Sequence, residues 1–411
     1  MKISVIEPGG LNIELAILFA ANGHDVGYFT EYREAFPRGD RQSLGTGFPG
    51  VHKFEHISDA LDHGDIIICP DTHSCDYLQL AKKYGKPTWG AGKAERFEQD
   101  RLFAKQMLAK LGLPVGPYSH GIGLESLENE LKKTKDRFVK FPGSYRGIAE
   151  TKHHYDWEKT KREWWGELLS GLGPDQDTIQ WLSETPIKHI MEVAADQLTV
   201  NGEYSKPTLI GIEDKDSAYI GKIFAEPPKC LVETNQKLSA YMRSCNAKTF
   251  FSPELMLGED GKAYLTDPCL RTGHPVSSVQ LRIYKNLCNY IILAAHSEMN
   301  TPIKPTHKYG IALEIKSDQL DDGWLEIQFD EKRRHTIHLQ CARKVKDAYY
   351  VIPKSFIAAT IVGLGNTIEE AEKEIHKTLE SFSCAGMSYD LNSIEKVKET
   401  MKKGKDCGID F

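Results

Sequence analysis

Ser252-Pro253-Glu254-Leu255-Met256-Leu257-Gly258-Glu259-Asp260-Gly261-Lys262-Ala263-Tyr264-Leu265-Thr266-Asp267 reads as a hairpin with an acidic residue near each end. An alternating apolar run from Phe250 to Leu257 supplies one strand. Gly258, Asp260 and Gly261 supply the turn, and Ala263 to Leu265 open the second strand. The spacing predicts that Glu254 and Asp267 are cross-strand neighbours, followed by Arg271. Mg²⁺ takes one or two carboxylates together with phosphate oxygens, so such a pair points to a metal held against a nucleotide triphosphate. Acids at strand ends also occur in ordinary surface hairpins, and the pair gains meaning from the basic residues upstream.

Two lysines matter here. Lys105 lies in the helical stretch Arg101 to Lys110, and Lys140 ends the strand Arg137-Phe138-Val139-Lys140 just before the loop Pro142 to Thr151, which carries Arg146. A strand-end lysine is commonly a solvated edge residue. Followed by a glycine-bearing, arginine-bearing loop, it is a candidate clamp for triphosphate oxygens, because lysine acts as a point charge and a loop can exclude water.

The bulk composition sets limits. A chain of 411 residues exceeds a single compact core, so two or three domains are expected. With 52 basic against 58 acidic residues there is no general field to draw in nucleic acid or an anionic membrane, and any phosphate must be held by local positive groups. The nine cysteines are scattered without a CxxC spacing, which indicates neither a disulfide framework nor a zinc site and fits a reducing cytoplasm. The opening MKISVIEPGG has too short an apolar run for a signal peptide, and no stretch approaches the ~20 apolar residues of a membrane span. A soluble cytoplasmic protein is expected.

The N-terminal segment alternates strand and helix: KISVIE, LNIELAILFAANG, DVGYF, DIIICP, CDYLQLAKKYG, KPTWGAG. That order predicts a parallel sheet flanked by helices, with Glu7-Pro8-Gly9-Gly10 and Pro70-Asp71-Thr72-His73 at the carboxyl ends of strands, where open α/β sheets bind ligands. Gly9 and Gly10 either expose backbone N–H groups to an anion or only make a tight turn. Beyond lie a helix over about 94–111, the strand RFVKF, a helical region over 156–185 with Trp164 and Trp165 as packing residues, and strands from His189 to Phe224. A helix over about 232–245, the hairpin, and a helix over 278–296 follow. The remainder is expected as mixed strands with helices at 368–381 and 391–403. Gly45-Thr46-Gly47-Phe48-Pro49-Gly50 matches GxGxxG but opens no helix, and His153-His154 lacks a third metal ligand nearby.

Taken in order, Lys105 in a helix, Lys140 before a glycine loop, Glu192 at the end of KHIMEV, then Glu254, Asp267 and Arg271 resemble the ATP-grasp superfamily. Within it the likeness is to phosphoribosylamine-glycine ligase, and it runs over nearly the whole chain, through DIIICPD, GAGKAERFEQDRLFAKQMLAKLGLP and ATIVGLGNTIEEAEKEIHKTLESFSCAGMSYD. The resemblance implies an α/β chain with the ATP-grasp fold: an N-terminal parallel-sheet domain over 1–93, an ATP-grasp domain over 94–303 in two lobes (about 114–192 and 193–303), and a small C-terminal α+β domain over 304–411. It implies ATP and Mg²⁺ as cofactors. Lys105, Lys140 and Arg146 would contact phosphates, Glu192 and Gln197 the adenosine side, and Glu254 and Asp267 the metal. Lys140 and Arg271 would be catalytic. Asp71, His73, Glu150 and Thr151 are the candidate substrate contacts.

The family pattern EFNxRFGDPE is here Asp267-Pro268-Cys269-Leu270-Arg271-Thr272-Gly273-His274-Pro275-Val276, with Cys269 for the asparagine, and the N-terminal glycine turn continues as Leu11-Asn12-Ile13. The expected activity is therefore an ATP-dependent carboxylate-amine ligase working through an acyl phosphate, with its own small-molecule carboxylate and amine and with no nucleic-acid or membrane partner. A small-molecule kinase and an inactive ATP-binding module are the alternatives.

Overall fold

The computed structural model describes residues 1–30, 43–141, 151–298, 302–321, 323–353 and 355–411. They form two compact units. One comprises residues 1–94, 193–253 and 269–411; the other comprises residues 95–192 and 254–268.

The first unit begins with a parallel sheet in the order Val51–Lys53, Asp25–Thr30, Lys2–Glu7, Ile66–Ile68, Thr88–Trp89. Ile66, Ile67 and Ile68 are all fully buried, as expected for a strand covered by helices on both faces. Ile6, Phe29, Leu61, Ile67 and Leu78 share one of the cores beside this sheet. Sequence periodicity finds four of the five strands. It passes over Val51–Lys53 and the helix Ile57–His63, both too short to show a period.

An antiparallel sheet in the same unit runs from Val193 onward in the strand His189–Val200 through Thr208–Asp214, Ala218–Phe224, Tyr309–Ser317, Ala359–Gly365 and Ile337–His338. A small sheet of Leu325–Ile327, Ala348–Val351 and Ala342–Val345 accompanies it. Helices Lys229–Cys245, Ile368–Leu379 and Asn392–Lys402 lie close to their expected limits. The helix expected over 278–296 is two helices, Val276–Ile283 and Leu287–Ala295. They are separated where Tyr284 leaves the helical conformation to pair with Pro305.

The start of Ile368–Leu379 is fixed by reciprocal capping: the Glu370 N–H donates to Thr367 Oγ1 at 3.2 Å, and the Glu370 carboxylate accepts from the Asn366 N–H at 2.7 Å. Thr367→Ala is expected to lower unfolding stability by about 1 kcal/mol. A denaturant titration with unchanged slope and a shifted midpoint is the check.

The second unit is built on a four-stranded antiparallel sheet in the order Tyr118–Ile122, Gln180–Glu184, Arg137–Lys140, Thr151–His154. Leu124, Leu127, Val139, Trp164, Trp165 and Trp181 form its core, so the tryptophan pair packs as expected. The region read as helical over 156–185 is corrected. Helical turns run from Trp157 to Asp177 in broken segments, and Gln180–Glu184 is a strand in the interior of the sheet. The helix expected over 94–111 breaks at Asp100, whose carboxylate caps the helix Arg101–Lys110 by accepting from the Phe103 N–H at 2.9 Å. Neither histidine of the 153–154 pair points to a metal site. His153 meets Asp136 at 2.8 Å, and buried His154 is held by Thr160 and the Thr134 carbonyl. Among the described residues no helix is long and apolar enough to cross a membrane.

Candidate functional site

The hairpin of the second unit consists of Glu254–Gly258 and Ala263–Asp267, and Glu254 is the direct partner of Asp267 across the strands. The apolar run that suggested one continuous strand from Phe250 is two strands, Lys248–Phe251 and Glu254–Gly258, divided at Ser252-Pro253. Register shifts between Glu254 and Leu255, a bulge of the kind that re-aims a side chain at a strand end. Thr266 Oγ1 donates to the Glu254 carbonyl at 3.2 Å and lies 3.4 Å from the Glu192 carboxylate, which brings Glu192 to the same hairpin. Asp267 Oδ1 is buried and accepts no hydrogen bond among the described residues. A carboxylate oxygen withdrawn from water without a donor is costly, and a cation is the natural way to complete it. The donor set therefore fits Mg²⁺. Among the described residues there is no group of three or more His, Cys, Asp or Glu able to hold an ion by protein ligands alone.

Lys105 and Lys140 meet at a residue that sequence reading passed over. Glu184, the last residue of the inner strand, places Oε1 3.2 Å from Lys105 Nζ and Oε2 3.2 Å from Lys140 Nζ. All three side chains are nearly buried, at 7, 13 and 11% exposure for Lys105, Lys140 and Glu184. Burial on its own pushes the Glu184 carboxyl up, but the charges of Lys140 and Lys105 outweigh it and hold the group below the usual carboxylate value. Burial lowers the Lys140 ammonium from the ordinary lysine value. Glu184 opposes that shift, and Arg101 and Lys105 add to it.

These residues line one cleft together with Glu98, Arg101, Thr266 and Pro268, the last two flanking Asp267 in the chain. Lys105, Lys140 and Arg101 bring three cationic side chains into this poorly hydrated place. Such a cleft attracts an anion. Thr151 pairs with Lys140 across the next strand and is exposed. Arg146 and Glu150 lie outside the described residues.

The remaining candidates belong to the first unit. Gln197 is buried and exchanges two amide hydrogen bonds with Asn235, 3.0 Å each. Asp71 is buried at the end of strand Ile66–Ile68; its Oδ1 accepts from the Thr72 N–H at 2.8 Å, and its carbonyl accepts from Ser74 Oγ at 2.6 Å. His73 follows with a left-handed φ of 64°. Thr272 stitches distant segments to this strand end: its N–H donates to the Pro70 carbonyl at 3.0 Å, and its hydroxyl donates to the Asn12 side chain. Arg271 precedes it, with Nη1 3.3 Å from the Thr272 carbonyl. Asp71, His73 and Arg271 are thus neighbours along these linked segments of the first unit.

The turn after the first strand is also settled. The N–H groups of Leu11 and Asn12 donate to the Glu7 carboxylate, each at 2.8 Å, and so do the Asn12 side-chain amide at 3.1 Å and the Tyr28 hydroxyl at 2.5 Å. Burial raises the Glu7 pKa, the Asp71 charge adds to the rise, and donation from Tyr28 and Asn12 opposes it.

The parallel sheet, the antiparallel sheets and the acid-bearing hairpin together are the ATP-grasp fold. Solved structures with the same fold include phosphoribosylamine–glycine ligase from Thermotoga maritima, at a TM-score of 0.73 and 16% identity over 95% of this chain and 99% of that one. The biotin carboxylase domain of 2-oxoglutarate carboxylase from Hydrogenobacter thermophilus, in complex with MgADP, ADP and bicarbonate, matches at 0.70 and 12% over 97 and 98%. L-amino acid ligase from Bacillus licheniformis matches at 0.62 and 16% over 95 and 99%. At these identities the likeness establishes the fold. No protein-family model matches the sequence, and no curated protein matches it.

Proposed function

We propose that this chain is an ATP-dependent carboxylate-amine ligase. The observation that carries the reading is the cleft of the second unit, where Lys105 and Lys140 converge on Glu184 with Arg101 in the same lining, beside Thr266 and Pro268, which flank Asp267, whose Oδ1 has no hydrogen-bond partner among the described residues. In this reading Lys105 and Lys140 bind triphosphate oxygens, and Glu254 and Asp267 hold Mg²⁺, which supplies charge neutralisation at the phosphates when bound. Glu192, beside Thr266, and Gln197 serve the nucleoside side, and Arg271 faces the substrate carboxylate. Phosphoryl transfer needs positioning and charge stabilisation more than a covalent nucleophile, and this residue set supplies both.

The substrate carboxylate attacks the γ-phosphorus, forming an acyl phosphate and releasing ADP. An amine then attacks the acyl carbon, and inorganic phosphate leaves as the C–N bond forms. Two of the solved structures named above are a phosphoribosylamine–glycine ligase and an L-amino acid ligase, and this supports the reaction class while leaving the two substrates to be found.

The test is a screen of amino acids crossed with amines, glycine and phosphoribosylamine included, with ADP and free phosphate both quantified. Equal ADP and phosphate, both dependent on the amine, is the expected result. ADP without phosphate identifies a kinase. Binding of ATP with Mg²⁺ and no ADP in any well identifies a module without turnover.

A further inference from the structure

The turn between the first strand and the first helix carries its own anion. Gly10 adopts a left-handed φ of 79°, which aims the next two N–H groups, those of Leu11 and Asn12, back toward the strand end. A concave run of backbone N–H groups ahead of a helix is a general binding place for phosphate or carboxylate. Here the Glu7 side chain fills it. Its Oε1 accepts from the Asn12 N–H and the Tyr28 hydroxyl, and its Oε2 accepts from the Leu11 N–H and the Asn12 side-chain amide. The residue is 1% exposed, and two donors lie on each oxygen. Asp71, at the end of the adjacent parallel strand, adds a second negative charge near Glu7. Among the described residues a cation on this side is Lys53, whose ammonium lies 5.1 Å from the Tyr28 ring centre and interacts with Glu7.

We propose that Glu7 is a specificity-determining residue: its carboxylate permanently occupies the N–H nest of Leu11 and Asn12, so a substrate bound at this end of the parallel sheet presents an unphosphorylated group to it. An external phosphate finds no free donor in the nest and meets two carboxylates. The statement about substrate class rests on the ligase reading, whereas the occupancy of the nest stands independently of any turnover.

The experiment compares the full-length wild type with Glu7→Ala and Glu7→Gln in thermal unfolding, titrating inorganic phosphate against chloride at matched ionic strength. Phosphate bound at the lysine cleft of the second unit acts equally on all three, so the difference between them reports the turn. Both variants are expected to melt below the wild type. Glu7→Ala alone should regain several degrees with phosphate in a saturable manner, because its nest is open, while in Glu7→Gln the amide still fills the space. A phosphate response equal in wild type and Glu7→Ala overturns the proposal.

Should Glu7→Ala fail to fold, hydrogen exchange of the wild-type Leu11 and Asn12 amides decides the matter. Protection that is the same with and without phosphate supports an occupied nest, and protection that appears only with phosphate refutes it. For substrate class, phosphorylated and dephosphorylated forms of the same amine are compared in the ADP-release assay. Preference for the phosphorylated form refutes the specificity role, whereas absence of ADP release with both refutes the ligase reading and leaves the exchange result standing.

Discussion

Lys140→Ala is expected to lower kcat/KM for ATP by on the order of 10²–10³, the loss found when one oriented charge-stabilising donor is removed from a preorganised site. The fold should persist. In the variant Glu184 still faces Lys105 at 3.2 Å, so its buried charge keeps a partner and the penalty of an orphaned carboxylate is avoided. Circular dichroism and unfolding should therefore stay near wild type while ADP release falls. The pH profile provides a second readout. Because burial lowers the Lys140 ammonium below its ordinary 10.5, the cationic form disappears at lower pH than for a solvated lysine. The alkaline limb of kcat/KM, which reports the free enzyme, should set in below that value in the wild type. A near-normal rate in Lys140→Ala would remove the phosphate-binding assignment.

The readable parts of this chain are those whose signal is local. Lys2–Glu7 is contained in one apolar run and begins and ends where that run does, and the helix Ile368–Leu379 announces itself by Thr367, Glu370 and a steady helical period. The pairing of Glu254 with Asp267 follows from a short turn that fixes register. Glu184 was hidden for the opposite reason. Gln180–Glu184 is five residues long and follows the helical turns that end at Asp177, and it becomes a strand only because it pairs with Tyr118–Ile122 on one side and Arg137–Lys140 on the other. Trp181 sinks into the core of that sheet, and nothing within a helical window distinguishes it from a helix residue. A signal was nevertheless present: two lysines predicted to approach the same phosphates need an acid between them when nothing is bound. The role of Glu7 was equally out of reach, since Tyr28, one of its donors, comes from the next strand and the choice between an open turn and an occupied one depends on side-chain direction.

Asp267→Asn is expected to reduce turnover on the order of 10²–10³ at ordinary Mg²⁺ concentrations, by the same measure of lost charge stabilisation. The argument turns on charge rather than shape. Asparagine is nearly isosteric, and the hairpin register is set by backbone pairing of Leu255 with Leu265 and Met256 with Tyr264, so the fold has no reason to change. What changes is the oxygen that has no donor among the described residues. In the native chain it is a half-charged ligand beside the Glu254 position; in the variant it is a neutral carbonyl or an amide N–H₂, and a hard divalent ion that sheds water reluctantly prefers the former strongly. The variant should therefore recover part of its rate as Mg²⁺ is raised, whereas Lys140→Ala should not, because its missing charge is not the metal's. An Mg²⁺ titration of ADP release on both variants separates the two roles. Equal magnesium dependence in wild type and Asp267→Asn would place the metal elsewhere and leave the unsatisfied oxygen to another cation. Stability measured without magnesium adds an independent sign: Asp267 Oδ1 is withdrawn from water with no donor among the described residues, so replacing the charge should cost nothing there and Asp267→Asn should be no less stable than wild type when the ion is withheld.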